Sequence, residues 1–199
     1  MLLIGTGALA ACGGGGSGDG SAASTTTAAA SGGVRLTPGS VTVQRTADAG
    51  AADPAVVDAL VGAAGAYVRA ATVDPLAGRP VRLDDLATAP ARPLTRGTDA
   101  ETLTDAGTGR LDGVTIDARP VPVSVLTDAQ GAAVLGTVTI DLTVTGHNAR
   151  GPVRIHRTGE LAFVREGTAW HLDSWRLTVT RDGRGVPPAP RPSTTTGAP

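Results

Sequence analysis

The sequence contains no lysine: all 17 basic residues are arginine. Cysteine occurs once, at Cys12, so no disulfide can form within the chain and packing alone must hold the fold. Aromatic side chains are nearly missing as well, with only Tyr67, Phe163, Trp170 and Trp175 present, so a core must be built from Val, Leu, Ile and Ala. No sign of charge dominates. The formal net charge is -1 and the acidic and basic residues are interspersed, which leaves no basic field to gather a nucleic acid. His147, His156 and His171 are scattered without a second cysteine or a dense carboxylate cluster, so no metal is expected. A phosphate-cradling glycine loop between strand and helix is lacking, as is a G-x-S-x-G nucleophile turn, and no cofactor is expected.

What is there begins with an apolar run, MLLIGTGALAA, directly before Cys12. Eleven residues of helix rise about 16 Å, well short of the ~30 Å hydrocarbon core of a bilayer. A short apolar stretch closing on small residues has instead the character of a secretory signal, and Leu9-Ala10-Ala11-Cys12 resembles the bacterial lipobox. That resemblance implies a signal peptide over 1–12 and acyl chains such as palmitate on the Cys12 sulfur. The protein is then expected at the extracytoplasmic face of the cell membrane, with the membrane itself as its first partner. Two or more chains on one cysteine give durable anchoring, at about 0.8 kcal/mol per buried methylene. No Arg precedes Cys12, which points to a translation start upstream of Met1.

Residues 13–52 are read as a flexible Gly/Ser/Thr/Ala-rich tether. Its first part, 13–33, holds almost nothing able to bury surface and as a coil would span roughly 25 Å. Within the tether, 34–44 carries β-branched residues around a Pro-Gly signal and is expected as a short strand or extended lead-in. Residues 185–199 form a Pro/Thr-rich tail expected to be disordered, with Thr194 to Thr196 as potential sugar acceptors.

The folded domain is expected over 53–184. Asp53-Pro54 supplies a helix cap and a first-turn proline, and Val56, Val57, Leu60, Val61, Ala64, Tyr67, Val68 and Ala71 then recur at helical spacing until Asp74-Pro75 ends the helix. Gly62 and Gly65 are expected to admit a close packing partner. Short helical pieces follow over 83–94, broken by Pro90 and Pro93, and over 98–105. From Val114 the apolar period becomes two, giving strands over 114–126, 133–145, 153–165 and 170–181 joined as hairpins through Asp128-Ala129-Gln130-Gly131, Gly146 to Gly151, and Glu166-Gly167. In the second strand Val134, Val138, Ile140, Leu142 and Val144 should face the core, with Asp141 among the threonines on the wet face. A parity switch in the last strand predicts a β-bulge near Asp173-Ser174.

A long helix, two short helical pieces and a curved four-stranded antiparallel sheet resemble the NTF2-like, cystatin-related cone, an α+β fold. The closing stretch 159–182 is similar to the last strands of actinobacterial envelope proteins of that fold, and the arginine-only, Ala/Gly/Thr/Val-rich composition resembles high-GC actinobacterial proteins. Relatives resembling ketosteroid isomerase and polyketide cyclases place a carboxylate base and a polar donor inside the cone. Asp117, Asp141, Glu160 or Asp173 would have to be that base, and the strand parity of Asp141 is against it. Tyr67 reads more simply as a core anchor, and His171 with Asp173 as an exposed pair. Arg157 shares parity with Val153, Ile155, Leu161 and Phe163, so it should point inward and need a partner.

The expectation is therefore a non-enzymatic binding or accessory module, taking an envelope protein partner or a small apolar ligand. An isomerase-like or cyclase-like enzyme is the alternative. Tyr67, Arg157, Trp170 and Trp175 are the side chains expected to line any cavity between helix and sheet. The polar sheet face is expected to support at most a weak homodimer.

Overall fold

The structure is a computed structural model that describes residues 25–26, 34–44, 52–97 and 99–187. Cys12, most of 13–33, and residues 188–199 of the tail, including Thr194 to Thr196, lie outside the described residues.

Asp53 caps helix α1 (Pro54–Val68) as its sequence predicts, its side chain accepting from the Ala55 amide at 2.9 Å with Pro54 at the first helical position. The helix does not stop at Asp74-Pro75. It continues through a π-helical turn, Arg69–Val73, into α2 (Asp74–Leu76). Pro75 offers no N–H to the carbonyl of Ala71, one turn back, so the helix widens there instead of ending: the Asp74 amide reaches back to Arg69 O. By length and composition the rod Pro54–Leu76 could cross a bilayer, yet 61% of its most apolar window is buried inside the fold. Its apolarity is that of a core helix.

The fold is α+β, with this helix packed on an open, mixed sheet. Six strands of seven residues or more make up the sheet: β2 (Pro38–Gln44), β3 (Asp112–Ala118), β4 (Val121–Thr127), β5 (Ala133–Asn148), β6 (Gly151–Glu166) and β7 (Ala169–Asp182). A two-residue β1, Thr25–Thr26, pairs antiparallel with β3 at Asp117 and Ile116. On one side of β5 lie β3 and β4, end to end, and on the other lie β6 and then β7. The expected strand over 114–126 is thus interrupted, because Pro120 cannot donate to the ladder. The Arg119 amide still bonds Asp141 O at 3.0 Å, whereas the Val121 amide turns to Thr37 O at 2.8 Å.

That last bond brings in β2, which runs parallel to β4. Residues 34–44, read as tether or lead-in, therefore belong to the fold, and Leu36 is buried in the core. Gly65 meets this segment: a Cβ there would lie 2.9 Å from Val34 O, while Gly62 faces open space. At its other end the chain stays docked beyond 184, with Gly185 buried and its amide donating to Pro152 O at 3.1 Å.

The three hairpins form where expected. Asp128 Oδ1 accepts from the Gln130 and Ala132 amides, Asn148 Oδ1 accepts from Arg150, and Gly167 takes the positive φ of 63° that its tight turn requires. The bulge in β7 falls on Asp173, since Ala162 pairs with Ser174 and Phe163 with Leu172. A second irregularity was not anticipated. Leu126 pairs with Leu135 but Thr127 with Ala133, which leaves Val134 out of the ladder and 39% exposed while Ala133 turns inward. Beyond it, Val138, Ile140, Leu142 and Val144 face the helix as expected and are fully buried. Where α1 crosses β5 the backbone is Gly136, and a Cβ there would sit 2.4 Å from the Leu60 side chain. Burying Leu60 in that gap contributes about 1.5–3 kcal/mol.

Candidate functional site

Two clusters of charged side chains lie on opposite faces of the sheet, and the fold builds them differently. The inner one starts from Pro75. The Ala71 carbonyl, left without its intrahelical donor, accepts instead from the Asp105 amide at 2.8 Å, which docks the segment around Asp105 against the helix. The Asp105 carboxylate then meets Thr72 Oγ1 at 2.8 Å, Arg157 Nη2 at 2.9 Å, and Arg181 Nε and Nη2 at 3.2 and 2.8 Å. Arg157 Nη1 donates to Tyr67 Oη at 3.0 Å, Thr102 O at 2.8 Å and Leu103 O at 3.1 Å, and Tyr67 Oη donates to Leu103 O at 2.9 Å. Arg181 Nη2 adds bonds to Glu101 O and Thr104 O at 2.9 and 2.7 Å.

Asp105, Arg157 and Tyr67 have no solvent exposure. Two guanidiniums face one carboxylate, and the surplus positive charge is met by carbonyls at the end of helix α3 (Ala100–Leu103), where the helix dipole is negative. Burial pushes the Tyr67 phenol up to about 12; the Arg157 charge opposes that rise and the Asp105 charge adds to it. Arg157 Nε is buried without a partner among the described residues.

Chemically this cluster is committed to structure. The phenol proton is donated to a carbonyl, and both carboxylate oxygens accept from cations or a hydroxyl, so both groups are engaged within the fold. Sequence reasoning placed Arg157 inside and in need of a counter-charge, and it is there. The partner, Asp105, was missed, because it sits in an irregular segment where no periodicity reports which way a side chain points.

The other candidates separate from this pair. Trp170 and Trp175 are half-buried at the margin of the core, opposite Arg165 and Leu161 in register. The bulge at Asp173 breaks its expected parity with His171, and Asp173 Oδ1 accepts from Thr88 Oγ1 at 3.0 Å instead. His171 is half-buried with Nδ1 unpartnered among the described residues. Asp117 and Glu160 are exposed. No group of three or more metal-ligating side chains occurs among the described residues.

The second cluster lies on the sheet face turned away from the helix. Asp117, Thr143, His156 and Thr180 stand opposite one another across β3, β5, β6 and β7, and Arg154 faces Asp182 one row further along. Asp141, on the same face two residues before Thr143, accepts from Arg119 Nη1 at 3.0 Å and contacts His156 Nε2 at 2.9 Å. These side chains line an open cavity of about 570 Å³. A smaller cavity, about 280 Å³, lies near the start of α1 among Val43, Val56, Val125 and Arg165. Tyr67, Arg157, Trp170 and Trp175 border neither cavity. No family of known proteins, no curated protein and no solved structure matches this chain.

Proposed function

We propose that this protein is a lipid-anchored lipoprotein of the cell envelope, with an NTF2-like cone that serves as a non-enzymatic binding or accessory module outside the membrane. The observation that carries the anchor is Cys12, the single cysteine, placed directly after Leu9-Ala10-Ala11 at the end of an apolar run. A thiolate is the nucleophile that takes a lipid, and small residues before it admit the backbone to a peptidase groove.

The non-enzymatic part of the reading draws support from the inner cluster. An isomerase-like or cyclase-like site needs a carboxylate able to accept a proton beside an oxyanion donor. Asp105, the buried carboxylate, is instead held by Arg157, Arg181 and Thr72.

The test is metabolic labelling with an alkyne fatty acid of the protein produced from its own chromosomal locus. The wild-type chain should carry the label and sediment with membranes. Cys12→Ala should lose the label and leave the membrane fraction. An unlabelled wild-type protein would overturn the anchor.

A further inference from the structure

We propose that the open groove on the outer sheet face, floored by Asp141, is a binding site for a neutral polyhydroxylated ligand, an oligosaccharide. This names a ligand class for the binding module proposed above and rests on that reading, though not on the lipid anchor. At about 570 Å³ the groove has the size of a small-molecule site, but its lining departs from the usual kind. Every lining side chain is polar or charged. An apolar ligand would gain nothing here and would desolvate ionised groups, so the small apolar ligand expected from the sequence does not suit this cavity.

Charge narrows the choice further. Three carboxylates (Asp117, Asp141, Asp182) are interleaved with two guanidiniums (Arg119, Arg154) and the His156 imidazole. Asp141 is already matched by Arg119 and His156, and Arg154 stands directly opposite Asp182 in the strand register. A phosphate or carboxylate ligand entering the groove meets three carboxylates against two guanidiniums, and a polyamine finds Asp141 and Asp182 already set against Arg119 and Arg154. A sugar hydroxyl meets neither penalty. Each hydroxyl can donate one bond and accept others, and the groove sets acceptors beside donors on strands about 4.8 Å apart.

Bonds from hydroxyls to ionised groups are the stronger kind. The floor is also prepared in advance: two bonds fix the Asp141 carboxylate on a strand that is paired on both sides. With no Trp, Tyr or Phe in the lining to stack against a sugar, the expected dissociation constant is on the order of a millimolar.

Amide resonances of the full-length chain, carrying Cys12→Ser so that acylation plays no part, would be followed by nuclear magnetic resonance. Four probes are added separately: a glucose trisaccharide, an N-acetylglucosamine trisaccharide, inorganic phosphate and spermidine. The expected result is that at least one trisaccharide shifts the amides of Thr143, His156 and Thr180, and that Asp141→Asn weakens it about tenfold with the remaining spectrum unchanged. Should Asp141→Asn disturb the fold, Thr180→Val, at an exposed position of β7, gives a second reading and should weaken binding severalfold.

Absence of shifts with both sugars at about ten times the expected constant overturns the proposal. So does a stronger response to phosphate or spermidine, or unaltered sugar binding in both variants. Silence from the sugars together with a fatty-acid label on Cys12 removes the groove and keeps the anchor. Sugar binding without a label does the reverse.

Discussion

Asp105 and Asp141 are the same side chain on opposite faces of one sheet, each flanked by basic side chains, and their surroundings give them opposite roles. Asp105 is sealed under the helix, where a guanidinium and a carboxylate survive only when each finds several partners, so its bonds are all spent within the fold. Asp141 keeps a third of its side chain in solvent, and its contacts with Arg119 and His156 leave room for another molecule. Desolvation decides between them: the inner cluster is costly to disturb and closed to ligands, the outer one cheap to disturb and open.

The largest effect that would break this contrast is expected for Asp105→Ala. Removing the carboxylate strands Arg157 in the core, at an expected cost of about 3–5 kcal/mol by urea denaturation. A loss below about 1 kcal/mol would place the inner cluster on the same footing as a surface pair.

Next in size is the alkaline limb of stability, because Tyr67 is the sole tyrosine and its phenol is raised from 10.0 to about 12 by burial. The folded protein holds that proton more tightly than the unfolded chain. The associated stability is therefore complete below pH 10 and is lost as pH climbs from 10 towards 12, by roughly 2 to 3 kcal/mol in total. Phenolate absorbance should appear late in the native protein and near pH 10 once it is unfolded.

Tyr67→Phe should cost about 1–2 kcal/mol and abolish that alkaline fall, since Arg157 Nη1 keeps the Thr102 and Leu103 carbonyls. Smallest of all, Asp141→Asn should change stability by less than about 1 kcal/mol, and by still less at high salt. A larger loss would mean that the outer cluster, too, is part of the fold's support.

Much of the frame was legible in the sequence because it rests on repeating patterns. The Asp53 cap, the helical spacing from Val57 to Ala71, the hairpin turns and the bulge at Asp173 each follow from local chemistry that leaves a mark every two or three to four residues. Arg157 was legible for the same reason: strand parity put it among Ile155, Leu161 and Phe163.

What escaped depends on contacts remote in sequence. Val134 has the parity of a core residue, and only the pairing of β4 with β5 reveals that it bulges outward. Pro75 carries the signal of a helix stop, and only the arrival of Asp105 shows why the helix can continue. The outer groove left no trace in any one strand, since its residues come together by register across four strands. The Asp141–His156 contact joins positions 15 residues apart through a hairpin.

The bond from the Asp105 amide to the Ala71 carbonyl also bears on how the domain responds to its surroundings. It exists because proline has no hydrogen to give, and neither of its members ionises. Alkali ionises the Tyr67 phenol of the same cluster, but no change of pH titrates a peptide group. Under such stress the segment carrying Asp105 should remain fastened to the helix while its charged neighbours loosen, so that harsh conditions would first make this corner slack rather than detach it.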